Sequence, residues 1–211
     1  MTLNLFVAFV FASITLCAQS KEEVALNNLA VSLMDRGDYK EALAYLDKLT
    51  ASDENNFVYR YNRAVTLFNL KKYQEAIGEY KYLHALLPEQ SEYIFQIGNA
   101  YEQLDSMNFA LTFYTQAIEM DKDQFLYYFK RGTVFLKQNE LKRAEADLTS
   151  SIELNPKHHN SFHNRGITLF KLGQASKACD DWCQASVLGN VYSVNYFRQN
   201  CATASSCVTP K

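Results

Sequence analysis

Apolar and polar positions along this chain recur with one fixed period. Ala42, Ala76, Ala110, Ala144 and Ala178 share one register, each 34 after the last. Ala30, Ala64, Gly98, Gly132 and Gly166 share a second. Small side chains at two fixed points let the two helices of a hairpin approach closely. In each period roughly the first 14 residues predict a first helix and roughly residues 17–30 a second. Asp38-Tyr39, Lys72-Tyr73 and Glu140-Leu141 start second helices. Gly37 and Gly173 occupy the same point of the turn inside the unit, where a left-handed cap suits glycine. Pro88 and Pro156, two periods apart, end second helices. One hairpin cannot bury its apolar face alone, so the units are expected to stack. The predicted units are 23–56, 57–90, 91–124, 125–158 and 159–192, within a region spanning 20–192.

Ahead of the repeats the pattern changes. Residues 3–16, LNLFVAFVFASITL, are apolar and uncharged, and polar sequence begins at Lys21-Glu22-Glu23. The run is shorter than the roughly 20 residues of a membrane span. It predicts a secretory signal over residues 1–19, cut after Ala18 or Gln19. An uncleaved N-terminal anchor is the alternative. Lipidation at Cys17 is a third, against which Leu16 is large for the preceding position.

Composition adds exclusions. A formal charge of −2 with no basic run gives no nucleic-acid footprint. Three prolines and seven glycines fit a mostly helical chain, and 14 Tyr with 14 Phe supply rings to fill gaps between helices. No GxSxG, phosphate loop or GxGxxG is present, so neither catalysis nor a cofactor is expected. His159 and His163 stand at i and i+4, a spacing that can chelate a metal. No HExxH or nearby carboxylate completes a set, and His158, His159 and His163 read as surface histidines at a unit junction.

Arg63, Arg131 and Arg165 share one register, and at one constant spacing after them stand Glu79, Asp147 and Asp181. Units one and three carry Leu29 and Ile97 instead, with Tyr45 and Phe113 at the partner position. The pair is charged together or apolar together, which predicts contact across the hairpin and a bidentate bridge in three units.

The C-terminal end holds Cys179, Cys183, Cys201 and Cys207. Gly189-Asn190 is a turn signal, so helices at 175–188 and about 191–200 are expected to run antiparallel. Cys179 and Cys201 then face each other, which predicts a disulfide. Cys183 lies one turn along the same face, and Cys207 follows an ATASS stretch that can loop back to it. A four-thiolate zinc site competes: Cys179-x3-Cys183 meets the usual ligand spacing, while Cys201-x5-Cys207 does not. Paired cysteines and the leading apolar run point to an oxidising compartment.

DRGDYKEALAYLDKL, NRAVTLFNLKKYQEAIGEYKYL, IGNAYEQL with ALTFYTQAIEMD, and RGTVFLKQNELKRAEADLTSSIELNP resemble tetratricopeptide repeats, or TPRs. The end segment, ACDDWCQASVLGN, resembles a terminal unit of exported bacterial TPR proteins, which supports the Cys179–Cys201 pairing. The resemblance implies an all-α, right-handed superhelical solenoid of five hairpins, followed over 191–211 by a capping helix and cysteine-bearing tail. It implies a protein or peptide partner held in a concave groove lined by first helices. The matching positions are Tyr61, Val65 and Phe68; Phe95, Asn99 and Glu102; Phe129 and Thr133; and His163, Ile167 and Phe170. Packing of these rings between repeats is the competing use. A carboxylate clamp found in some members has Asn27, Val31, Asn62 and Gln96 at its positions here, without the lysines and arginine. The expected role is a non-enzymatic scaffold in a bacterial envelope or secreted space. The alternatives are an assembly subunit of an envelope machine and a metal-binding accessory protein.

Overall fold

A computed structural model describes residues 20–201 and Cys207; the segment expected as a signal, with Cys17, lies outside the described residues. Among the described residues there are eleven α-helices and no strand. They are α1 (Lys21–Arg36), α2 (Tyr39–Ser52), α3 (Phe57–Asn69), α4 (Tyr73–Leu86), α5 (Ser91–Gln103) and α6 (Met107–Met120). α7 (Phe125–Lys137), α8 (Leu141–Leu154), α9 (His159–Lys171), α10 (Ala175–Val187) and α11 (Val191–Asn200) follow. The chain divides into two compact units between Glu79 and Tyr80, so α4 contributes to both.

In the first unit α1 begins at a capping box. Ser20 Oγ accepts from the Glu23 amide at 3.1 Å, and the Glu23 carboxylate accepts from the Ser20 amide at 3.0 Å. Two backbone donors that helix geometry leaves orphaned are thereby satisfied. Ala30, Leu46, Leu49 and Tyr59 form one cluster of this unit's core, with Leu26, Met34 and Tyr45 packed on it.

The second unit has the same hairpin logic with larger rings. Its first helices carry glycine where the second helix brings a bulky residue. A Cβ on Gly98 would stand 2.7 Å from the Tyr114 ring, and one on Gly166 2.5 Å from Trp182 Nε1. Ala110, Ala144 and Ala178 are completely buried on the opposing helices. The small-residue registers are therefore hairpin contact points.

The turn inside each hairpin uses one left-handed residue, again in a single register: Gly37, Lys71, Asp105, Asn139 and Gly173. Only two are glycine. Asp and Asn tolerate this region better than most residues, while Lys71 adopts it at φ 61° with a Cβ. The closure is shared: Lys72 N, Ser106 N and Glu140 N each donate back to the carbonyl five residues earlier.

At the C-terminal end α11 packs on the last hairpin. Cys179 and Cys201 are joined at 1.98 Å inside an apolar cluster with Leu169, Ala178 and Trp182, against which Ile167 and Phe197 pack. Cys183 and Cys207 form a second disulfide from the same face of α10. No helix among the described residues is long and apolar enough to cross a membrane.

Candidate interaction surface and its supports

The arginine register builds the most regular feature of the second unit. Arg131 on α7 donates through Nε and Nη2 to both oxygens of Asp147 on α8, at 2.7 and 2.8 Å. Its Nη1 donates to Thr115 Oγ1 on α6 at 3.1 Å. Arg165 on α9 repeats this with Asp181 on α10 at 2.7 and 2.8 Å, and with Thr149 on α8 at 3.2 Å. Each guanidinium thus ties three helices: its own, its hairpin partner and the second helix of the preceding hairpin. The acceptors stand at equal sequence distances after and before the arginine. Sequence reasoning found the first set and missed the second, although the same symmetric spacing was there to be read.

In the first unit Arg63 makes the same connection with carboxylates on both sides, Asp47 on α2 and Glu79 on α4. Arg60, also on α3, reaches Glu79 at 2.9 Å as well. Burial lifts the Asp181 carboxyl above its ordinary range, and the Arg165 hydrogen bond and charge pull it back only in part. Arg165 itself is held protonated more firmly than usual, first by its hydrogen bond to Asp181. In the third hairpin, where the arginine is replaced by Ile97, Phe113 stacks on Tyr101 with centroids 5.3 Å apart and planes within 8°.

Of the residues expected to line a groove, three are interior. Phe95 is 5% exposed and packs between Tyr127, 4.5 Å away, and Tyr114, 5.6 Å away. The expectation for Phe95 is corrected: its ring fills the gap between successive hairpins. Asn99 and Glu102 are corrected likewise. Both are buried and accept from the Tyr114 hydroxyl at 2.9 Å. Glu102 also takes Lys137 at 2.6 Å and Lys130 at 3.1 Å, so a buried carboxylate is matched by two ammoniums. Its burial raises the carboxyl's pKa, but the Lys137 hydrogen bond with the charges of Lys130 and Lys137 outweighs this, and the net shift is downward.

A carboxyl with a depressed folded pKa contributes stability above its unfolded pKa. That contribution is lost as pH falls through the folded value. Glu102→Gln is therefore expected to lower the melting temperature near pH 7 and to flatten its fall toward about pH 3. Parallel thermal melts across that range check it; two curves offset by a constant would refute the assignment.

The remaining positions are partly accessible. Tyr61, Val65 and Phe68 on α3 are half-buried, and Phe68 meets Tyr73 edge-on at 5.2 Å. Beside them Asn62 Nδ2 donates to Asn27 Oδ1 at 3.0 Å, tying α3 to α1. In the second unit Phe129 meets His158 edge-on at 4.7 Å, and Thr133 accepts from Asn164 at 3.0 Å. Ile167 is half-buried, and Phe170 is 43% exposed beside Trp182.

The histidines are not the free surface groups the sequence suggested. All three are half-buried. His158 Nδ1 pairs with Ser161 Oγ at 2.7 Å, His163 Nδ1 with Ser193 Oγ at 2.7 Å, and Asn190 Nδ2 donates to His159 Nδ1 at 3.2 Å. The last two fasten the start of α11 to α9. Burial pushes the His158 and His163 pKa values down, which keeps these rings neutral acceptors or donors. Among the described residues no group of three or more His, Cys, Asp or Glu is placed to hold a metal.

The family model for "Anaphase-promoting complex, cyclosome, subunit 3" matches residues 7–83, and the tetratricopeptide-repeat model matches 91–124 and 126–158. Anaphase-promoting complex subunit 3 of Schizosaccharomyces pombe is 31% identical over 84 residues, which cover 40% of this chain and 13% of that protein. Several solved structures share the fold. MamA from Desulfovibrio magneticus RS-1 is 18% identical with a TM-score of 0.71, over 81% of this chain and 97% of that one. YrrB, described as a TPR protein with an unusual peptide-binding site, is 19% identical with a TM-score of 0.64, over 85% and 94%. A thermophilic TPR protein of Thermus thermophilus is 18% identical with a TM-score of 0.65, over 85% and 99%.

Proposed function

We propose that this chain, which belongs to the tetratricopeptide-repeat proteins, is a non-enzymatic scaffold of a bacterial envelope or secreted space. It holds a peptide or helix of a protein partner along its first helices. The observation that carries the reading is the contrast along those helices in the second unit. Phe95, Asn99 and Glu102 are committed to the interior, while Phe129, Thr133, Ile167 and Phe170 keep accessible surface on a framework tied by Arg131 and Arg165. Aromatics on a rigid helical surface suit side-chain anchors of a peptide, because little ordering entropy is lost on binding. The peptide-binding site in YrrB's description supports the same reading. Export rests on the two disulfides and on the apolar run at residues 3–16.

The experiment is crosslinking in native cells followed by mass spectrometry, repeated with Phe129→Ala/Phe170→Ala. The double variant is expected to lose the dominant crosslinked partner while keeping the wild-type melting temperature within a few degrees. Retention of that partner at wild-type yield would sink the groove assignment.

The second reading is a structural subunit of a larger assembly. It is favoured by the match of residues 7–83 to an assembly subunit. Under it, partner capture survives Phe129→Ala/Phe170→Ala and is lost on substituting exposed residues of the first unit such as Phe57, 51% exposed.

A further inference from the structure

The two disulfides leave the same face of α10 one turn apart, yet their surroundings differ. Cys179 and Cys201 are 6% and 5% exposed within the apolar cluster around Trp182. Cys183 and Cys207 are both partly exposed. Thiol–disulfide exchange needs a thiolate to reach a sulfur, so access separates the two bonds.

Their registers differ as well. Position 183 belongs to the series Asp47, Thr115 and Thr149, the acceptors that take the arginine of the following hairpin. Among the described residues the fifth hairpin is followed by α11, and position 199, where that arginine would fall, is Gln199. The acceptor site is occupied by a covalent bond to Cys207 instead. α11 is meanwhile held by other means: the Cys179–Cys201 bond, the His163–Ser193 hydrogen bond and the Trp182–Tyr196 ring contact at 5.2 Å. The outer disulfide can open without releasing α11.

We infer that Cys183–Cys207 is a site of reversible modification by low-molecular-weight thiols, with Cys179–Cys201 as the permanent staple. An incoming thiolate attacks Cys207 Sγ. The Cys183–Cys207 bond breaks, a mixed disulfide forms on Cys207, and the electron pair leaves on Cys183 as a thiolate that takes a proton from water. Attack in this direction follows from the backing of Cys183 by α10, whereas Cys207 itself is not in a helix. Reversal requires only that Cys183, as thiolate, attack the mixed disulfide and expel the small thiol. The chemistry consumes no external oxidant or reductant beyond the thiol itself.

The test treats the oxidised protein with glutathione, traps free thiols with iodoacetamide and maps peptides by mass spectrometry. One glutathione is expected on Cys207 and one alkyl group on Cys183, with the Cys179–Cys201 peptide intact. Opening at the outer pair should be at least about tenfold faster than at the inner. Glutathione appearing first on Cys179 or Cys201 would overturn the inference. So would resistance of both pairs under conditions that open an unstructured disulfide peptide. Cys183→Ser/Cys207→Ser keeps the question answerable: it should take up no glutathione and melt close to wild type. Uptake by this variant at wild-type rate would equally refute the assignment.

Discussion

Asp147→Ala is expected to destabilise the second unit by about 2–4 kcal/mol. Removing one member of a buried ion pair strands the other, at roughly 3–5 kcal/mol when both are fully buried. Here Asp147 is 9% and Arg131 19% exposed at the side chain, so some water reaches the stranded guanidinium and the loss is reduced. Arg131 would keep only Thr115 of its three hydrogen-bond contacts. Urea unfolding is the measurement, with the midpoint falling and the slope unchanged. The informative companion is Arg131→Ile/Asp147→Phe, which copies the residues the third hairpin uses at Ile97 and Phe113. A buried ion pair replaced by apolar residues of suitable volume is often neutral. The double variant is therefore expected to recover most of the loss. An unchanged midpoint in Asp147→Ala would mean that the bridge carries no structural weight, and a weakened partner interaction beside it would assign the arginines to a ligand.

Gly166→Ala is the second large effect. The added Cβ would lie 2.5 Å from Trp182 Nε1 and 2.6 Å from Cδ1. Trp182 is 1% exposed, and its Nε1 donates to the His163 carbonyl at 3.3 Å, so the ring has no free direction in which to retreat. Overpacking of this kind costs about 1–3 kcal/mol. Trp182 is the single tryptophan of the chain, so its fluorescence reports the displaced ring directly. Gly78→Ala is the control, since a Cβ there meets nothing within 4 Å. In a helix interior that change should stabilise by up to about 1 kcal/mol. The same shift in melting temperature from both substitutions would show that close approach is not what Gly166 provides.

These two predictions mark what the sequence made legible. The hairpins were readable because contact between helices restricts side-chain size at fixed points, and a size restriction repeats visibly as Ala or Gly. The Arg131–Asp147 and Arg165–Asp181 spacing was readable because charge varies together within one chain. Other features rest on partners that carry no such mark. The burial of Phe95 depends on Tyr127, and that of Glu102 on Lys130, Lys137 and Tyr114, contributed by other helices. An aromatic facing a groove and one wedged between hairpins obey the same periodicity. The left-handed turns at Lys71, Asp105 and Asn139 were hidden for another reason. Backbone hydrogen bonds at the hairpin closure hold that conformation, so glycine is not required and its absence says nothing.

The covalent occupation of position 183 also bears on how a further unit could be joined after the fifth hairpin. A one-dimensional array can in principle be extended at either end by one more unit, since each contacts only its neighbours. The fifth hairpin lacks the hydroxyl or carboxylate that Asp47, Thr115 and Thr149 offer the next hairpin's arginine. A hairpin appended after the fifth by gene duplication would meet the Cys183–Cys207 bond at that position. A further hairpin tied in the manner of Arg131 and Arg165 would need an acceptor restored at 183 and an arginine of its own, whereas one joined like the third hairpin, where Lys81 and Ile97 stand at these two registers, would need neither.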